Sequence, residues 1–349
     1  MGDRRLKKVL IIKPSSLGDI IHALPVASGL KASLPDVEID WVVGVGFEEI
    51  LEGNPAINRI IKFDRAVLKK AGKLNLMKSF MADLRQDSYD VVIDLQGLLR
   101  SGFMAFLSRT ERRLGFENAR EGASFFYNEK IAVPNPGMHA VGRYLLALDH
   151  LGIKLRHDPD FHITVTEDHR FRADALLREL GVEDGEGFIA VAPSARWKTK
   201  RWPAANFVEL SHRLYAEHKI KSIYVGSEGD ASILSHVKGR KSVAISEAFG
   251  KTSLKVLASL LTRSKMLVTN DSGPMHLAAA VGTPVTAIFG PTSPDRTGPY
   301  GKASGTVIKS REVCAPCFKR DCETMNCMNG VTVEQVYKTV VDAISLDRR

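Results

Sequence analysis

MLVTNDSGPMHLAAAVGTPVTAIFGPTSP, residues 266–294, holds two short apolar runs on either side of an alanine-rich segment that opens on a small polar turn. The runs carry β-branched residues and the segment between them is long enough for a helix, so the stretch reads as strand, helix, strand, the repeating unit of a parallel sheet. Pro274 stands where a helix's first turn tolerates proline. Working outward, the same kind of run recurs as FIAVAP from 188, IKSIYVG from 220 and SVAIS from 242. It recurs again in the other half as KVLIIK from 8, EIDWVV from 38, RIIKF from 59 and DVVIDL from 90. Helix-period segments lie between them, which predicts an α/β protein with two Rossmann-like halves.

Between the halves, HAVGRYLLALDHLGI (139–153) reads as one amphipathic helix, and RHDPDFHITVTEDH (156–169) has no clear period and reads as a linker. The expected organisation is a first domain over residues 1–168, a second over 169–330, and a tail over 331–349 with a helix from Val333 to Ile344. A chain of 349 residues with 44% hydrophobic content is too long for one ordinary core. The net charge of +9 points to an acidic partner: nucleic acid, an anionic membrane surface or a phosphorylated substrate. No apolar run approaches the roughly eighteen residues of a membrane span, and no signal-peptide pattern is present, so the expected location is cytoplasmic.

In open α/β sheets, ligands sit at the carboxyl ends of the strands, where loops lead into helix N-termini. In the opening stretch those residues are Asp271, Ser272 and Gly273, with His276 on the following turn. The amides of Ser272 and Gly273 suit phosphate oxygens, helped by the helix dipole, and Asp271 and His276 suit sugar or phosphate oxygens. The plainer alternative is a helix start with Asp271 as its cap. VAPSARWKTKRWP (191–203) puts Ser194, Arg196, Lys198, Lys200 and Arg201 beyond another strand, cations fit to neutralise a diphosphate leaving group. VGSEGD (225–230) offers Glu228 and Asp230 as acceptors for a ribose or an adenine amine.

KPSSLGD (13–19), at the first strand end, has a single glycine and no Lys-Ser/Thr ending, so it is not a phosphate loop. Asp19 there complements a helix dipole. Ser15, Ser16 and Gly18 can already cap that helix, which leaves the Asp19 carboxylate available to take a proton from a hydroxyl.

SSLGDIIHALP (15–25), DLQGL (94–98), KRWP (200–203) and NDSGPMHLAAAVGTPVTAIFGPTSP (270–294) together resemble the ADP-heptose:lipopolysaccharide heptosyltransferase family. The resemblance implies the GT-B fold, with acceptor bound by the N-terminal domain and sugar nucleotide by the C-terminal one across an interdomain cleft. It also implies inversion at the anomeric carbon without a metal or other cofactor. On it, Asp19 is the general base, and Lys13, Arg120 and His139, with Ser15, Ser16 and Gly18, meet an acidic Kdo-lipid A acceptor. Lys200 holds the diphosphate, and Ser194, Arg196, Glu228, Asp230, Asp271, Ser272, Gly273 and His276 hold ADP-heptose. Thr252 falls where the family's nucleotide pocket has an apolar contact. REGASFFYNEKIAV (120–133) and HAV (139–141) look like enzymes that add the first heptose, whereas CAPCFKRDCETMNCM (314–328) looks like those that add the second, so both acceptors stay open. By analogy the tail helix crosses back onto the first domain.

RIIKFDRAVLKKAGKLNLMK, Arg59 to Lys78, has seven Lys/Arg against Asp64 alone. It reads either as a solvated face or as contact with an acidic acceptor and the inner face of the inner membrane. Cys314, Cys317, Cys322 and Cys327, spaced C-x2-C-x4-C-x4-C, read as reduced structural thiols, with a zinc site as the alternative. Three rivals remain. A nucleic-acid binder lacks an aromatic-interleaved basic stripe, and a nicotinamide dehydrogenase lacks G-x-G-x-x-G after the first strand. A GT-B sugar-nucleotide epimerase has the same shape and acts on the donor without any acceptor, and a glycosyltransferase of the same fold using another sugar nucleotide is the further alternative.

Overall fold

The computed structural model describes residues 6–64, 74–183, 185–302 and 305–346. The chain divides into two compact units, Met1–Thr164 and Val165–Arg349.

In the first unit β1 (Lys8–Ile12), β2 (Glu38–Gly44), β3 (Arg59–Phe63), β4 (Val91–Asp94), β5 (Arg113–Phe116) and β6 (Glu129–Ile131) form one six-stranded sheet in the order β3-β2-β1-β4-β5-β6. Every pairing in it is parallel. Val9 to Ile12 and Ile39 to Val43 are buried on both faces of the sheet, as central parallel strands require. The helices are α1 (Leu17–Ser33), α2 (Leu74–Leu84), α3 (Leu99–Leu107) and α4 (Ala140–His150).

The second unit repeats the plan. It opens with α5 (Glu167–Glu179), and β7 (Phe188–Ala192), β8 (Lys221–Tyr224), β9 (Ile245–Glu247), β10 (Leu267–Asn270), β11 (Val285–Phe289) and β12 (Gly305–Lys309) pair as β12-β11-β10-β7-β8-β9. These pairings are parallel too. Its other helices are α6 (Ala204–His218), α7 (Leu254–Arg263), α8 (Gly273–Val281), the short α9 (Pro294–Thr297) and α10 (Asn326–Asn329), and α11 (Val333–Leu346).

Three strands escape the sequence pattern. β5 carries a glycine and an arginine in four residues, β6 is three residues long, and β12 is a largely exposed edge. Val336, Tyr337, Val340 and Ile344 of the tail helix α11 are buried in the core of the second unit together with Phe207, Leu210 and Leu214 of α6, so this apolar face is satisfied within that unit. No described helix is long and apolar enough to cross a membrane.

Candidate active site

The carboxyl end of the first sheet gathers one set of groups. α1 begins where the chain leaves β1 at Pro14, with Ser16 as its N-cap and Asp19 at the third helical position. The Ser16 amide and hydroxyl donate to Asp19 Oδ2 at 3.0 and 2.8 Å. Tyr144, on the first turn and a half of α4, donates its hydroxyl to the other oxygen, Oδ1, at 3.2 Å. Lys13 Nζ stands 4.0 Å from that same Oδ1. The Asp19 side chain keeps 39% of its surface exposed, so both its oxygens are oriented by the protein while the group remains accessible.

Lys13 is buried at 2% exposure, donates to the Leu95 carbonyl at 3.1 Å and lies 4.8 Å from the Tyr144 ring centre. Burial holds its pKa below the usual lysine value, Asp19 and Asp94 oppose that, and the charges of Arg143 and Arg120 push it further down. Lys13 is thus paired with Asp19 and within electrostatic reach of Arg143 and Arg120, a positive surrounding that suits an anionic ligand. Burial, with Asp19 next to it, raises the Tyr144 phenol well above its usual range, so it stays a donor to Asp19. His139 caps α4, its Nδ1 accepting from the Val141 amide at 3.2 Å, and its ring stacks edge-on against His22.

DLQGL supplies the floor. Asp94 is fully buried; its Oδ1 accepts from the Gln96 and Gly97 amides and its Oδ2 from Tyr127. Burial raises its pKa in spite of those bonds. The turn needs Gly97 at φ +65°, a conformation that costs other residues. It presents Gln96 Oε1 to the Ser15 amide at 3.1 Å, tying the β4 loop to the β1 loop. Gly18 is buried in the first turn of α1, and Arg120 is exposed, its amide bonded to the Gly97 carbonyl.

The second set lies at the carboxyl end of the second sheet. Trp202 is the anchor: its ring is buried against Phe207, and its indole donates to the Val331 carbonyl. Its amide donates to Asn270 Oδ1 at 3.0 Å, while Asn270 Nδ2 donates to the Pro193 carbonyl at 2.8 Å. One buried side chain at the end of β10 therefore pins both ends of the loop after β7. Lys200, two residues before the anchor, is thereby held 2.6 Å from Asp271 Oδ2, which also accepts from Thr292 at 2.7 Å. The Lys200 ammonium lies 4.7 Å from the Trp197 ring centre.

α8 starts at the same place. Ser272 is its N-cap and pairs its hydroxyl with Thr269, Gly273 and Pro274 open the helix, and His276 is buried one turn in. The first-turn amides of a helix have no intrahelical acceptor, and the dipole makes that end an anion site.

The remaining expected donor ligands are placed differently. Ser194 donates to Asp230 Oδ1 at 2.5 Å, and Asp230 Oδ2 accepts from the Ser227 amide and hydroxyl. Burial works against the Asp230 charge, but these bonds and the nearby Arg201 hold its pKa below the ordinary carboxylate value. The Ser227 bonds close the loop after β8 on itself, and the Ser194 bond ties that loop to the one after β7. Arg196, Lys198 and Glu228 are exposed, and half-buried Thr252 immediately precedes Ser253, the N-cap of α7.

Residues 77–328 match the family described as glycosyltransferase family 9 (heptosyltransferase). The chain belongs to glycosyltransferase family 9. It is 33% identical over 327 residues to lipopolysaccharide heptosyltransferase 1 of Pseudomonas aeruginosa, covering 90% of this chain and 87% of that enzyme. The solved structure of the Escherichia coli heptosyltransferase WaaC with ADP is 27% identical, with a TM-score of 0.75 over 96% of this chain and 99% of the other. A family 9 glycosyltransferase from Veillonella parvula shares the fold at a TM-score of 0.80 over 97% of both chains. Two parallel six-stranded sheets and these neighbours make the fold GT-B.

In this family 9 glycosyltransferase several residues of the candidate site carry no sequence motif. Arg143 and Tyr144 sit in a segment legible only as an amphipathic helix; their place near that helix's start was the available signal, since helix N-termini face strand ends. Asn270 and Thr292 lie inside the opening stretch, yet their partners are distant in sequence. Cys314, Cys317 and Cys322 lie near enough to Cys327 to raise its thiol pKa further, after burial itself. Cys314 and Cys322 are exposed, Cys327 is drawn under Gly290 into the second core, and all four thiols are free. Among the described residues no group of three or more His, Cys, Asp or Glu is placed to hold a metal. Of the basic segment 59–78, residues 65–73 lie outside the described residues; Arg59 is engaged with Asp40, Asp87 and Tyr89, and Lys62 with Glu48.

Proposed function

We propose that this family 9 glycosyltransferase moves a heptose from ADP-heptose to Kdo-lipid A with inversion, the first heptose addition of the lipopolysaccharide inner core. The observation that carries the reading is the Asp19 carboxylate, oriented by Ser16 and Tyr144 yet accessible, beside Lys13, which has Arg120 and Arg143 within electrostatic reach. Those cations suit the carboxylate and phosphates of the acceptor, and Asp19 takes the proton of its attacking hydroxyl. The new bond forms at the anomeric carbon on the face opposite the nucleotide, and the bond to ADP breaks. Charge developing on the departing diphosphate is met by Lys200 and the first-turn amides of α8. The names of the relatives favour the first addition over the second. A cytoplasmic enzyme working at the inner face of the inner membrane follows from a lipid acceptor.

The test is a screen of ADP-, UDP- and GDP-sugars against Kdo-lipid A and heptosyl-Kdo-lipid A, with products read by mass. A heptose added to Kdo-lipid A from ADP-heptose is expected. Product only on heptosyl-Kdo-lipid A moves the protein to the second addition, and isomerised donor without any acceptor makes it an epimerase.

A further inference from the structure

The stretch LLRSGFMAFLSR, 98–109, is apolar on both sides of a helix. Ser101, Gly102, Met104 and Ala105 of α3 are buried against the first unit. Leu99, Phe103 and Phe106, spaced four and three apart, form a second stripe facing solvent at 50%, 47% and 52% exposure. Beside it runs the 3-10 turn Ala123–Phe126, in which Phe125 is 90% exposed. The two are closely joined. A side chain at Gly102 would stand 3.0 Å from the Ala123 carbonyl and from the Phe126 ring. Phe126 in turn touches Phe103 and Phe106 at centroid separations of 5.9 and 6.0 Å. Singly exposed hydrophobics are ordinary; an aromatic platform of this kind on one face marks an interaction surface.

Its charge names the partner. From Leu98 to Thr110 the only charged side chains are Arg100 and Arg109. A third cation, Arg113, lies 5.9 Å from the Phe106 ring and is held there by the Phe126 and Thr110 carbonyls. Glu111 follows this stretch and Glu121 precedes the 3-10 turn, and each adjoins an arginine, Arg112 and Arg120. Aromatic side chains bordered by arginine suit the headgroup level of an anionic bilayer. Position agrees. α3 leaves the DLQGL loop that bonds Ser15, and the Arg120 amide joins the 3-10 segment to the same loop through Gly97.

We propose that the outward face of α3 with Phe125 is the surface that seats this protein on an anionic lipid bilayer. The inference extends the reading of a lipid-linked acceptor, whose sugar head enters the strand end while its acyl chains stay in the bilayer beside the platform.

The experiment is co-sedimentation of the full chain with vesicles of phosphatidylglycerol and phosphatidylcholine that contain no acceptor. Wild type is compared with Phe103→Asp/Phe106→Asp and with Phe125→Ser, the latter a fully surface change. Wild type is expected to partition onto the anionic vesicles and weakly onto phosphatidylcholine alone, and the double variant to lose about tenfold or more of that partition. Partition unchanged in both variants, or no binding by wild type, overturns the proposal. So does a concentration-dependent dimer that the double variant dissolves, which makes the face a contact between copies. Heptosyl transfer to a deacylated, water-soluble acceptor is measured alongside and is expected to be equal in all three proteins. Its absence from all three overturns the function read for the site, while the vesicle result decides the surface.

Discussion

The Lys200 ammonium sits 2.6 Å from Asp271 Oδ2, with side-chain exposures of 17% and 6%. The cation's position is therefore set by the protein, which lowers the reorganisation needed when diphosphate charge develops. Lys200→Ala is expected to raise the donor KM and to lower turnover by roughly 10²–10³, the usual worth of one aimed charge-stabilising group. It also leaves Asp271 bonded to Thr292 without the cation. In an Asp271→Asn background the stability cost of Lys200→Ala should shrink by about 0.5–3 kcal/mol, as contacting residues couple. Additive melting free energies would show that the pair does not hold the loop.

Asn270→Ala removes the acceptor of the Trp202 amide and the donor to Pro193 together. Each buried group left unpaired costs about 1–3 kcal/mol, so a clear loss in denaturant midpoint is expected. Since the same bonds aim the Lys200 loop, ADP affinity measured by calorimetry should fall as well. A destabilised variant with parental ADP affinity would show that the loop is positioned by Trp202 packing alone.

These two sites differ in how far they can be read from sequence. The turn at Asp271–Gly273 and the cation-rich loop at 194–201 are legible, because residue types at strand ends restrict the chemistry there. Which cation turns inward comes from the resemblance carried by KRWP and not from residue types alone. Lys200 and not Arg196 or Lys198 faces Asp271 because Trp202 is buried two residues later, a tertiary fact. Asp230 reads as a ligand from its loop, and its bonds to Ser227 and Ser194, the latter distant in sequence, are not legible there. The apolar stripe of α11 was legible, but a stripe does not say which core receives it. β5 and β6 were lost to brevity and to arginine and glycine within them.

Lys13 is a buried cation maintained against its desolvation cost, so Lys13→Met is expected to be neutral or stabilising in thermal melts at pH 7 while raising the acceptor KM. The sign of its pH dependence follows from the depressed pKa. Between the folded value and about 10.4 the unfolded chain binds the proton that the folded chain has released, so wild-type stability rises with pH across that window. The advantage of the Met variant should accordingly narrow as pH rises. A Met variant that melts far below wild type at neutral pH would show the lysine to be a net structural asset.

Tyr144→Phe removes the hydroxyl at Asp19 Oδ1 and little else. Turnover should fall by roughly tenfold, the worth of about 1.4 kcal/mol, because one of the two groups that orient the carboxylate is lost. Parental turnover in the Phe variant would place Tyr144 in packing only.

Asp19→Asn in single-turnover transfer, paired with the donor dissociation constant, probes the claim on which the rest depends. Asn keeps the size of the side chain and much of its bonding with Ser16, but cannot take the acceptor proton. The expected result is donor affinity within about twofold of the parent, since the proposed role of this residue is toward the acceptor hydroxyl, and transfer slowed by roughly 10²–10⁴, the usual contribution of a positioned general base. A folded Asn variant that transfers heptose at the parental rate would contradict Asp19 as the base.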